Sequence, residues 1–120
     1  MVITKKIDFP TYNCKLSIQI VDNVKQSVTK LYKKYKIKME DNEEEFEGCV
    51  VSPDFTVYHL FLGKDYVTHN TIAHEIFHVA KAITEDRGIM EEEAQAWLTG
   101  HITGELYKFL EKKKIEVKHE

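Results

Sequence analysis

The sequence predicts an α+β fold: a small antiparallel or mixed sheet packed against a motif helix and a C-terminal helix, in the order strand, helix, strand, strand, helix, helix. Three observations predict it. Apolar residues alternate at Leu16, Ile18 and Ile20, then switch after Asp22 to helical spacing at Val24, Val28, Leu31, Tyr32 and Tyr35. Two β-rich stretches, Gly48 to Val51 and Thr56 to Leu62, flank the turn signal Ser52-Pro53-Asp54. Beyond Gly63 the chain carries two long segments of helical periodicity.

The alternation from Lys15 to Val21 marks a half-buried strand. Asp22 or Asn23 can cap the helix that follows, which should end near Tyr35. Lys38 to Glu47 is dominated by Glu40, Asp41, Glu43, Glu44, Glu45 and Glu47. Such a run reads as a solvated connection, because its crowded carboxylates lack the spaced ligands of a calcium loop. The two β-rich stretches then form an antiparallel hairpin. After Gly63-Lys64-Asp65, Thr68 or Asn70 can cap a helix that runs to about Glu85 and is closed by Asp86-Arg87-Gly88. The last helix starts at the acidic run Glu91, Glu92 and Glu93 and continues through Ala94, Ala96, Trp97, Leu98, Ile102, Leu106 and Leu110. The segment from Glu111 to Glu120, with Lys112, Lys113, Lys114, Lys118 and His119, reads as a solvated helix end and a frayed terminus.

Composition limits the function classes. With 120 residues, of which 42% are hydrophobic, the chain can bury one modest core, so residues 1–120 form one domain. A formal charge of −3 gives no basic surface, and nucleic acid is not an expected partner. Cys14 and Cys49 fit no Cys-x-x-Cys pattern and read as free thiols. Met1 to Pro10 lacks the apolar core of a signal peptide, and no stretch approaches the roughly 20 apolar residues of a membrane span. A soluble, cytoplasmic protein with no membrane partner is expected.

The chemistry is concentrated in His74-Glu75-Ile76-Phe77-His78. Residues four apart share one helix face, so two imidazoles can converge on one zinc ion with Glu75 beside the open coordination position. A catalytic zinc keeps three protein ligands and a water, so the helix supplies two ligands and a third comes from elsewhere. A carboxylate in reach of that water is the natural general base, and Glu75 is placed for the role. Ile72, Ala73, Ile76, Phe77, Val79, Ala80 and Ile83 make this helix apolar around much of its circumference. The expectation is therefore a largely buried helix whose polar trio points inward because it holds a metal.

For the third ligand the residues leave alternatives. Ala96, Gly100 and Gly104 form a small-residue stripe that would let another helix approach, and Glu93 lies near its centre. A competing stripe of Ala94, Leu98, Ile102 and Phe109 would favour Glu91 instead, with Glu92 toward the border of the first. Unused carboxylates in a first helical turn complement the helix dipole. His59, in a strand beside Tyr58, could line the substrate cleft and steady an oxyanion, although a partly exposed strand histidine is the commoner outcome. His69 fits the turn before the motif helix, and His101, about two turns beyond Glu93, could support a ligand.

The element order and the motif resemble the zincin metallopeptidases, specifically a minimal gluzincin-like domain of the ImmA/IrrE type and small phage or prophage metallopeptidase-like proteins. His74, Glu75 and His78 match the motif, and Glu92-Glu93-Ala94-Gln95-Ala96-Trp97-Leu98-Thr99-Gly100 is similar to the acidic helix that follows it there. The resemblance covers roughly Thr56 to Leu110. It implies a zincin-like fold, a Zn2+ cofactor held by His74, His78 and Glu93, and hydrolysis of peptide or protein substrates with Glu75 as base. It also implies an extended peptide pairing with a sheet edge near Thr56 to Leu62. Trp97 stands where many gluzincins carry an Asp that supports a zinc-bound histidine. The alternative is a non-catalytic zincin-like module whose zinc is structural and which binds a host or phage protein. Such a module has no need of a general base.

Overall fold

A computed structural model describes residues 2–38 and 46–119. The expected acidic connection falls mostly in residues 39–45, outside the described residues. Strand β1 (Ile3–Phe9) leads through a 3-10 turn (Pro10–Tyr12) to β2 (Cys14–Val21) and helix α1 (Val24–Lys34). Strands β3 (Gly48–Val51) and β4 (Val57–Gly63) follow, then a second 3-10 turn (Lys64–Tyr66), α2 (His69–Asp86) and α3 (Glu92–Lys112). The four strands form one mixed sheet in the order β1-β2-β4-β3. β1 and β2 are antiparallel, β2 and β4 parallel, and β3 and β4 antiparallel as the hairpin signal predicts.

The expected elements form, and one strand is added. β1 escapes the alternation rule because Lys5 interrupts the inward series Ile3, Ile7, Phe9, which an edge strand tolerates since its residues reach solvent. Asn13, at φ 51°, turns the chain from β1 into β2, a left-handed conformation that asparagine adopts more readily than other side chains. Asn23 caps α1 by accepting from the Gln26 N–H, and Thr68 caps α2 by accepting from the Thr71 N–H.

Period-two alternation sorts the sheet into two faces. Leu16, Ile18, Ile20, Tyr58, Leu60 and Leu62 enter the main core with Ile72, Ile76, Val79 and Ile83 of α2 and with Leu98, Ile102, Leu106 and Leu110 of α3. Val21, Phe61, Cys49 and Val51 face the other way and pack on Val24 and Val28 of α1. No helix among the described residues is long and apolar enough to cross a membrane.

Three expectations are corrected here. The small-residue stripe of α3 faces outward: Ala96, Gly100 and Gly104 are exposed, and a Cβ on either glycine would meet nothing within 4 Å. Leu98, Ile102 and Phe109 occupy the buried side instead, because larger apolar side chains remove more area from water. The tail is docked rather than frayed. Ile115 and Val117 pack on the main core, and the Lys118 N–H donates to the Val67 carbonyl while the His69 N–H donates to the Lys118 carbonyl. The α2 helix is buried on one side only, with Ala73, His74, Phe77 and His78 exposed.

The far end of α2 is fixed by Arg87. Its guanidinium donates through Nε to the Tyr12 carbonyl, through Nη1 to the Tyr58 hydroxyl at 2.7 Å, and through Nη2 to the Phe55 carbonyl at 2.8 Å. One side chain thereby ties α2 to the β1–β2 and β3–β4 connections. Gly88, at φ +66°, then turns the chain toward α3.

Candidate active site

Thr68 starts α2 so that Thr71, Glu75 and Ile76 fall on its buried side and His74 and His78 on its rim. The two imidazoles converge: their Nε2 atoms are 3.1 Å apart, with ring centroids at 4.7 Å. Two nitrogens bound to one tetrahedral ion at about 2.0–2.1 Å stand roughly 3.3 Å apart, so this spacing fits a shared divalent ion. Without one, an N–H of either ring can donate to the lone pair of the other.

Glu75 lies against the sheet with 6% of its surface exposed. Burial pushes its carboxyl above the ordinary range, and His74, whose Nε2 is 3.8 Å from Oε1, pulls in the opposite direction. The carboxylate fits because β3 begins with glycine: a Cβ on Gly48 would stand 2.8 Å from Glu75 Cγ and 3.2 Å from the Phe61 carbonyl oxygen. A glycine at a strand position can signal such close approach, and this was the sequence signal for a residue that motif reading passes over.

Two cavities meet at Gly48 and Glu75. One, of about 540 Å³, runs past Cys49, Val50, His78, Lys81, Ala82 and Glu85. The other, of about 370 Å³, is lined by Phe46, Glu47, Gly48, Asn70, Thr71, His74 and Glu75. Together they make a trough between α2 and β3 with Glu75 in the middle. Lys81 faces Glu85 at 3.7 Å on one side, and Glu47 accepts a hydrogen bond from the Thr71 hydroxyl at 3.4 Å on the other. Cys49 is a free thiol pushed up to about 11 by burial and by the Glu75 charge, which keeps it protonated.

The third ligand is not brought to this pair. Among the described residues, no group of three or more His, Cys, Asp or Glu is arranged to hold a metal ion. Glu91, Glu92 and Glu93 are all exposed at the start of α3. Because the small-residue stripe faces outward, Glu93 points away from α2 with it, and Glu91 is the extended cap residue before the first turn of α3. The motif thus brings together two imidazoles and one buried carboxylate, with no third ligand among the described residues.

The other histidines lie elsewhere. His59 shares a sheet face with Phe61 and Val51, on the α1 side, because its neighbours Tyr58 and Leu60 take the α2 side. It cannot line the trough. His69 is the first residue of α2 and contacts Tyr107 and His119. His101 stacks on Trp97 at 5.0 Å and meets Phe9 edge-on. The sheet edge is also reassigned: β4 lies between β2 and β3, so among the described residues the edge beside the site belongs to β3.

Comparison with protein-family models, with curated proteins and with solved structures finds no match for this chain.

Proposed function

We propose that the protein is a zinc-dependent peptidase in which His74 and His78 hold the metal and Glu75 is the general base. The observation that carries this reading is the pairing of a buried carboxylate with two imidazole nitrogens 3.1 Å apart, midway along a trough open toward the unpaired edge of β3.

The bound ion would polarise the scissile carbonyl and acidify a water at the open position. His74 and His78 present Nε2 from one helix face. Glu75 accepts the attacking water's proton at its carboxylate and returns it to the leaving amine. The burial that raises its proton affinity suits it to both transfers. An extended substrate would add to β3, the edge strand among the described residues, with its side chains alternately toward α2 and toward solvent. The resemblance would make Glu93 the third ligand, with Glu91 and Glu92 beside it at the exposed start of α3 as the alternatives.

The test joins metal content with cleavage. His74→Ala and His78→Ala should each remove about one equivalent of zinc relative to wild type, as should the variant of whichever glutamate is the ligand among Glu91→Ala, Glu92→Ala and Glu93→Ala. Cleavage of a peptide library should vanish in Glu75→Gln while its zinc is retained. Zinc without cleavage at any peptide would replace this reading with the non-catalytic binding module. Absence of zinc affinity in wild type would end both.

A further inference from the structure

A second pair of imidazoles meets where the tail docks on α2. The parallel bridge between Thr68 and Lys118 pins the two backbones, with the His69 N–H to Lys118 carbonyl and the Lys118 N–H to Val67 carbonyl bonds both at 3.0 Å. Ile115 and Val117 anchor the tail on the core just before this bridge. The side chains that follow, His69 and His119, bring their ring centroids to 4.9 Å at a tilt of 41°, close to the 4.7 Å of the His74–His78 pair.

Tyr107 of α3 holds the first of these rings. Its hydroxyl is 2.7 Å from His69 Nδ1, and the two rings stack at 5.7 Å with planes 17° apart. When Nδ1–H donates to the Tyr107 oxygen, the lone pair of a neutral His69 is at Nε2, the tautomer a metal ligand needs. Metal-ligating histidines generally have their second nitrogen fixed by such a partner. The positive end of the α2 dipole disfavours a cation here, so affinity must come from coordination by nitrogen. That excludes hard ions such as Mg2+ and Ca2+, which seek oxygen, and selects ions that take imidazole.

We propose that His69 and His119 form a second binding site for a divalent transition-metal ion of the Zn2+, Ni2+ or Cu2+ class, which clips the C-terminal tail to the first turn of α2. Tyr107 is the positioning residue that orients His69. The proposal does not rest on the peptidase reading.

The test uses residues 1–120 with His74→Ala and His78→Ala in place, so that the first pair is silent, and Cu2+ as the probe. Calorimetry should give one equivalent bound, with two coordinated imidazole nitrogens in the electron paramagnetic resonance spectrum. Adding His119→Ala, at an exposed position outside the core, should weaken binding at least tenfold and remove one nitrogen. Adding Tyr107→Phe should weaken it about tenfold while both nitrogens remain. Zn2+ should raise the melting temperature of the double variant and leave that of the His119→Ala triple variant unchanged. The proposal is overturned if the double variant binds no Cu2+, or if His119→Ala binds it as tightly and with the same nitrogen count.

Discussion

At the scale of single residues, the site depends on a side chain that is absent. Gly48 leaves room for the Glu75 carboxylate, and the Phe61 carbonyl behind it is sheet backbone that cannot move aside. Gly48→Ala should therefore displace Glu75, lowering the proposed peptidase activity and destabilising the fold by about 1–3 kcal/mol through overpacking. Urea unfolding checks the second effect, and a change within about 0.3 kcal/mol would show that the strand gives way. His59 presents the opposite case: both of its ring nitrogens are buried without a partner among the described residues. Burial lowers its pKa, with Lys34 adding to the shift and Asp54 opposing it. Below about pH 6.5 the unfolded chain takes up a proton that the folded chain resists, so stability should fall as pH drops from the ordinary imidazole range toward the folded value. His59→Phe keeps the stacking on Phe61, should add about 1 kcal/mol at neutral pH, and should flatten the decline between pH 7 and 5. An unaltered slope in denaturation at the two pH values would refute this.

At the scale of elements, α2 is held in place at both ends. Thr68 caps its start, and Arg87 binds three acceptors beyond its end. Arg87→Met removes all three bonds and leaves the Tyr12 carbonyl and the Tyr58 hydroxyl short of a donor, so it should destabilise by about 2–4 kcal/mol in urea unfolding. A loss below about 0.5 kcal/mol would mean that water replaces the guanidinium. The Tyr58 phenol is pushed up to about 12, first by burial and next by donating to Asp86, against the opposing Arg87 charge. Its contribution to stability is complete below about pH 10 and is lost as pH rises through about 12. In an ultraviolet titration Tyr58 should ionise after tyrosines in ordinary environments, and Tyr58→Phe should delete that late component.

At the scale of the whole molecule, the sheet separates two jobs. Its α1 side is a small apolar layer, while its α2 side carries the main core, the trough and the docked tail. The tail closes the structure by packing Ile115 and Val117 and bonding across Thr68 to Lys118. Ending the chain after Lys114 should lower stability by about 2–4 kcal/mol, from partial burial of two aliphatic side chains and two backbone bonds. Thermal unfolding that matches the full chain would show that the docking contributes nothing.

The sequence by itself determined what local physics determines. Alternation set β2, the proline-containing turn set the β3–β4 hairpin, threonine and asparagine set two helix caps, and four-residue spacing put His74 and His78 on one face with Glu75 beside them. Tertiary structure alone decided what depends on distant partners. β1 became a strand because β2 offered an edge, and β4 became interior because β2 pairs with it in parallel. The outward face of α3 and the sheet face of His59 followed from which apolar rows found a core to enter. The tail became ordered because α2 and α3 present a surface for it. Spacing along a helix is fixed by 1.5 Å per residue and 3.6 residues per turn, so a motif is legible from the chain alone. Which strand lies at an edge and which face of the last helix is buried depend on contacts between elements far apart in sequence, and those are settled by packing.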